Sequence, residues 1–156
     1  MCSSDLVTMP RRPHAAAGHQ SWRRAKATPH TLPDVRLDIV REVPLAFDDD
    51  WVRRVVTAAV VAAGRRTRTA LTVLLADDDH LRHLNTTFRG MDTATDVLSF
   101  EGGGPAGNVA YVGDVAISVP RALYKDDRYG HGPAREVGYL LVHGVLHLLG
   151  DRNSTR

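Results

Sequence analysis

Residues 137–149 (V-G-Y-L-L-V-H-G-V-L-H-L-L) are apolar on almost every side of a helix. A helix of that kind is stable only when other elements surround it, so the rest of the chain has to build layers around this one. It carries two polar exceptions, His143 and His147. Their four-residue spacing puts both imidazoles on one helix face, one turn apart. Buried singly, each needs a polar partner. Placed together, two neutral ring nitrogens can ligate one zinc ion. Gly150 suits a left-handed helix stop, after which the chain can return a third ligand to the same point.

The spacing shares its skeleton with zinc proteases that carry H-E-x-x-H-x-x-G-x-x-H. His143, His147 and Gly150 match it, but Gly144 stands in place of the general-base Glu, and Asn153 stands where the third His belongs. The protease chemistry is therefore not expected. Asn is a weak neutral oxygen donor and a poor zinc ligand.

Upstream, strand and helix signals alternate. Residues 35–40 (V-R-L-D-I-V) alternate apolar and polar, the strand period. Asp48 to Asp50 can cap a helix in which Trp51, Val52, Val55, Val56, Ala59, Val60 and Ala63 recur at helical spacing, ending at Gly64. Trp51 reads as a core anchor. Residues 70–75 form a second strand rich in apolar and β-branched types. Asp77 to Asp79 cap the next helix, where His80 and His83 sit among charged neighbours and read as a solvated face rather than a metal pair. F-R-G-M-D (88–92) is a Gly-containing loop with an exposed Arg89. Residues 95–100 and 112–119 are strands three and four, separated by a flexible loop at 102–107. Pro120 and Pro133 can each open a helix. The order predicts an α+β fold: a small mixed, mostly four-stranded β-sheet packed with helices, with the histidine helix at the C-terminus.

The length of 156 residues suits one domain with a sizeable core. No apolar run is long enough for a membrane span. The single cysteine, Cys2, excludes a disulfide framework and a cysteine metal site, and suits a reducing interior. Charge divides unevenly. Residues 1–33 hold five basic side chains against Asp5, while the remainder holds fifteen basic and seventeen acidic ones, so the net +2 belongs to the tail. That Pro-, Ala-, Arg- and His-rich tail reads as disordered and lacks the apolar core of a secretory signal. It is either an organelle transit peptide or a mis-assigned start. Arg53, Arg54, Arg65, Arg66 and Arg68 form a cluster that reads as a solvated face in preference to a phosphate patch. The pattern stops abruptly at Gly150. Residues 151–156, like the opening M-C-S-S-D-L, look like translated adapter sequence and are expected to be non-native.

Three motifs now stand in order: L-N-T-T-F-R-G-M-D-T-A-T-D-V-L-S-F, then G-D-V-A-I-S, then R-E-V-G-Y-L-L-V-H-G-V-L-H-L-L-G. Together they resemble the YbeY family of bacterial and organellar rRNA maturation endoribonucleases, across residues 35–150. The resemblance implies one metal-endoribonuclease domain over 34–150. It implies a zinc site of three histidines in H-G-x-L-H-L-x-G-Y-D-H, of which His143 and His147 match the first two. The closing Y-D-H appears here as Asp151, Arg152 and Asn153, so the third ligand is absent as written. The family's Arg, in the R-G pair, corresponds to Arg89 and is expected to act on the RNA with the metal. The implied activity is cleavage of single-stranded rRNA, in 3′ end maturation of 16S rRNA and in quality control of the small ribosomal subunit. The implied setting is the cytoplasm, or an organelle if the tail is a transit peptide.

The residue types agree with that chemistry. Phosphodiester hydrolysis needs an activated water and neutralisation of charge growing on phosphate oxygens, both of which an open zinc site can supply. Arg89 can grip two phosphate oxygens in a fork that Lys cannot reproduce. Gly144, at a helix-propensity cost of about 1 kcal/mol, either lets substrate approach between the histidines or lets the helix pack closely. Asp96 and Asp114 can orient a ligand histidine or Arg89, or serve as turn and cap residues. Two other functions remain open: a catalytically impaired RNA- or ribosome-binding module with an incomplete metal site, and a metal hydrolase acting on another substrate.

Overall fold

A computed structural model describes residues 33–130 and 132–150. The expected basic tail, apart from Pro33, and the expected non-native terminus 151–156, with Asn153, lie outside the described residues.

The first strand, β1 (Val35–Arg41), leads into α1 (Asp49–Ala62), β2 (Arg68–Ala76), α2 (Asp78–Arg89), β3 (Val97–Ala106), β4 (Val109–Ser118), α3 (Val119–Tyr129) and α4 (Pro133–Leu148). The strands form one mixed sheet in the order β1-β2-β4-β3, with β1 and β4 parallel to β2 and β3 antiparallel to β4. The fold is α+β. Helix starts follow the carboxylates: Asp48 accepts from the Trp51 amide at 2.8 Å and Asp77 from the His80 amide at 2.8 Å, each satisfying a donor that the helix leaves free.

Residues paired across the strands share a face, so the sheet divides cleanly. Ile39, Val73, Val115 and Ser99 form one row, with Arg41, Leu75, Ile117 and Val97 beside it. This face meets α1 through Val52, Val56 and Val60 and α4 through Val137, Leu141 and Val145, in the main core. The apolar helix 137–149 is thus buried against the sheet, as its all-round hydrophobicity demands. Trp51 stacks on Phe47 at 4.6 Å and packs at the edge of this core. The opposite face carries a smaller core, where Leu81 and Leu84 of α2 meet Leu74, Leu98, Phe100 and Ala116.

Two expectations change. F-R-G-M-D is not wholly a loop, because Phe88 and Arg89 complete α2. Residues 102–107 are not a loop: β3 continues to Ala106 and turns at Gly107-Asn108 into β4. Two of the glycines, Gly102 and Gly113, answer to crowding between strands. A Cβ on Gly113 would lie 2.0 Å from the Phe100 carbonyl oxygen, and one on Gly102 would lie 2.5 Å from the Tyr111 carbonyl oxygen. The strands approach so closely because the pairing shifts register between Glu101 and Gly104, and side chains there would force them apart.

Candidate functional site

The sheet face under α2 is only partly covered, and the uncovered part is the floor of a cleft of about 920 Å³. Its floor includes Thr72, Leu74, Asp114 and Ala116, its near wall is the last turn of α2 with Leu84, Phe88 and Arg89, and its far wall is β3, the sheet's edge strand. Residues from both faces of β3 line it, Leu98 and Phe100 on one side and Ser99 and Glu101 on the other. Beyond that edge His143 and His147 enter the same cleft from α4.

Each position has a local cause. Arg89 ends α2 because Gly90 takes a left-handed cap, φ +66°. The segment after it is tied back on the helix: Arg82 forks onto Asp92 at 2.7 and 3.0 Å, and Asn85 donates to the Thr93 carbonyl at 3.0 Å. Arg89 is exposed and, among the described residues, no ion pair holds it. On α4, Gly144 is buried, and a Cβ there would lie 2.6 Å from Val115 Cγ1. Of its two sequence readings, close packing is the one the geometry explains. Ser99 Oγ also donates to the Gly144 carbonyl at 3.2 Å, pinning α4 to β3 between the two histidines. His143 is half-buried and its ring stacks on Tyr139 at 5.9 Å, while His147 is exposed.

Asp114 lines the cleft, but its partner is the Tyr111 hydroxyl rather than a histidine or Arg89. Thr72 shares a 3.1 Å hydrogen bond with the same hydroxyl. Burial, then the hydrogen bond to Asp114, pushes the Tyr111 phenol up from its ordinary value, so it stays a donor. Asp96 is not part of the cleft lining. Its backbone carbonyl accepts from the Ser118 amide at 2.9 Å, and its charge adds to the hydrogen bonds that Arg121 donates to Asp78 in raising the Arg121 guanidinium. His80 pairs with Glu42 at 2.5 Å and has no place in the cleft. The fold therefore brings together Arg89, His143, His147 and Asp114, and leaves Asp96 aside. Phe88, Phe100, Ser99 and Glu101 join them without having been singled out from sequence; the only signal was the position of Phe88 beside Arg89.

Two imidazoles on one helix face are donors of the kind zinc takes. Among the described residues no group of three or more His, Cys, Asp and Glu side chains comes together, so the pair is right in kind and short in number. No helix among the described residues is long and apolar enough to cross a membrane.

Comparison with known proteins agrees over most of the chain. The family described as "Endoribonuclease YbeY" matches residues 40–154. The endoribonuclease YbeY of Chloroflexus aurantiacus is 39% identical over 121 residues, 73% of this chain and 79% of that one. The one from Moorella thermoacetica is 42% identical over 113 residues, 67% of this chain and 72% of that one. The solution structure of TM1509 from Thermotoga maritima aligns with a TM-score of 0.49 at 21% identity, over 74% of this chain and 72% of that one. With a family match that spans the cleft residues from both α2 and α4, the chain belongs to the endoribonuclease YbeY family.

Proposed function

We propose that this chain is a hydrolase that cuts single-stranded RNA internally, and that its substrate is ribosomal RNA during 3′ end maturation and quality control of the small subunit, in the cytoplasm. The observation that carries the reading is the cleft, which in a chain of this family gathers Arg89, His143 and His147 from two separate elements.

The roles follow from chemistry. Arg89, exposed at a helix end, presents a planar fork to two non-bridging phosphate oxygens and offsets the charge that builds there during attack. His143 and His147 would hold one zinc ion. When bound, that ion supplies a water activated near neutral pH and a Lewis acid for the phosphate. The Ser99 hydrogen bond to α4 fixes where the two imidazoles stand relative to the β3 edge.

Cleavage of single-stranded RNA by the full chain tests the reading. Arg89→Ala is expected to lower cleavage by about 100-fold or more without changing the thermal transition, the scale for losing a charged oxyanion partner. Unchanged cleavage would remove Arg89 from the site. A second reading, an RNA- or ribosome-binding module with little catalysis, is favoured by one residue, Asn153 in the place of a third histidine. Zinc content separates the two. The chain is expected to hold zinc weakly and Asn153→His to strengthen binding and cleavage together; tight, stoichiometric zinc in both would refute this. Hydrolysis of another substrate by protease-like chemistry has no general base at Gly144, and the packing of that residue on Val115 leaves no room for one.

A further inference from the structure

Phe88 lines the cleft yet is 66% exposed. A phenylalanine left this open forgoes most of its burial energy. Its ring is nevertheless not free to wander. It meets the Phe100 ring edge-to-face at 5.2 Å, with 62° between the planes. The helix end that carries it is fixed by the Gly90 cap, the Arg82–Asp92 fork and the Asn85–Thr93 hydrogen bond. A solvent-facing aromatic, in contact with Phe100 and carried on a tied helix end, therefore stands one residue before the guanidinium that lines the cleft.

We propose that Phe88, backed by Phe100, is a stacking platform for one unpaired base of the RNA whose phosphate Arg89 holds, and that this platform selects single strands. The proposal rests on the ribonuclease reading above. A nucleotide carries its flat base and its phosphate a few bonds apart, as Phe88 and Arg89 carry ring and guanidinium. Stacking on an aromatic is indifferent to base identity, because every base has a π-face. It is not indifferent to pairing: in a duplex both faces of each base are already covered by neighbours, so only an unstacked base can lie on the ring. Selection for single strands then needs no base-edge contact. Phe100 keeps the platform from collapsing into the cleft when no RNA is present.

The test uses the full chain with Phe88→Ala, Phe88→Leu and Phe88→Trp variants. The probe is a single-stranded oligoribonucleotide carrying 2-aminopurine at each position in turn, with a chelator present to prevent cleavage. For the wild type, fluorescence quenching on binding is expected at one position. The Ala and Leu variants are expected to lose that quenching and to bind about 10-fold more weakly, and Trp is expected to restore both. The gap in affinity between the single strand and its duplex should narrow in the Ala and Leu variants. Full affinity and quenching with Ala, or with Leu, would overturn the platform. Position-independent quenching by the wild type would overturn it too, while leaving the ribonuclease reading intact. A wild-type chain that binds no single strand would overturn both. Thermal unfolding of each variant, expected unchanged at so exposed a residue, separates loss of stacking from loss of fold.

Discussion

Gly144 shows how a single atom sets the distance between the sheet and the helix that carries the histidines. A methyl there would stand 2.6 Å from Val115 Cγ1 and 3.3 Å from Ser99 Oγ. Gly144→Ala gains about 1 kcal/mol of helix propensity and loses about 1–3 kcal/mol to overpacking, so a net loss of stability is expected in thermal melts. Val115→Ala in the same chain should recover part of the loss, and a double-mutant cycle with no coupling would show that the contact is not limiting. The sequence alone left two reasons for this glycine. The deciding neighbour lies on β4, and only the sheet brings it under α4. His143 and His147 stood out through their four-residue spacing on an apolar helix, and Arg89 through the resemblance of its R-G pair to the family's motif. Phe88 did not, since a lone aromatic among the polar residues of T-T-F-R-G gives no sign of which surface its ring will line. Asp96 and Asp114 had the same sequence signal. Side-chain geometry separates them, and it sets Asp114 against Tyr111 instead of a histidine.

Among the elements, α2 holds one wall of the cleft and is clamped at both ends. At its start Asp78 accepts from Arg121 at 3.0 Å through two nitrogens and from the buried Ser118 hydroxyl at 2.6 Å, joining α2 to α3 and β4. The Arg121 hydrogen bond, against opposing desolvation, holds the Asp78 carboxyl below its ordinary value. A carboxyl lowered on folding adds stability that is fully present above its unfolded value, near pH 4, and fades as pH falls through its folded value. Both side chains are partly exposed, so screening limits the contribution to about 1 kcal/mol or less. Asp78→Asn should therefore lower stability at pH 7 and flatten its decline below about pH 4; equal acid limbs in melts of the two chains would count against the clamp. The helices were legible in the sequence because carboxylates mark the starts of α1 and α2, prolines the starts of α3 and α4, and glycines their ends. The β3–β4 hairpin was not. Its glycines look like a loop until the register shift shows that Gly102 and Gly113 stand where two backbones nearly touch.

At the scale of the whole molecule, charge and topology pull in different directions. The chain is net +2, yet residues 34–156 alone are net −2, from fifteen basic and seventeen acidic side chains. Removing residues 1–33 is therefore expected to weaken non-specific RNA binding and to flatten its dependence on salt, by up to about four units of slope, with the cooperative melt retained. An unchanged slope would mean that the body alone makes the phosphate contacts. Arg53 and Arg68 are already engaged, with the Leu37 carbonyl at 2.9 Å and with Asp34 at 3.3 Å, in keeping with a solvated face. Topology places the cleft at the rim of the sheet, where β3 has a neighbour on one side only. A strand in that position is the natural seed for sheet-to-sheet aggregation, and most proteins hide it under a helix or loop. Covering β3 here would close the entrance that the histidines and Arg89 share. The tract Gly102-Gly103-Gly104-Pro105 offers a different protection, because it is poor in strand propensity and its proline offers no amide to a stranger. Access for a substrate and resistance to aggregation are thus settled on one strand, the first at 97–101 and the second at 102–105, and a chain evolved or engineered toward a stiffer β3 would gain order at the cost of solubility.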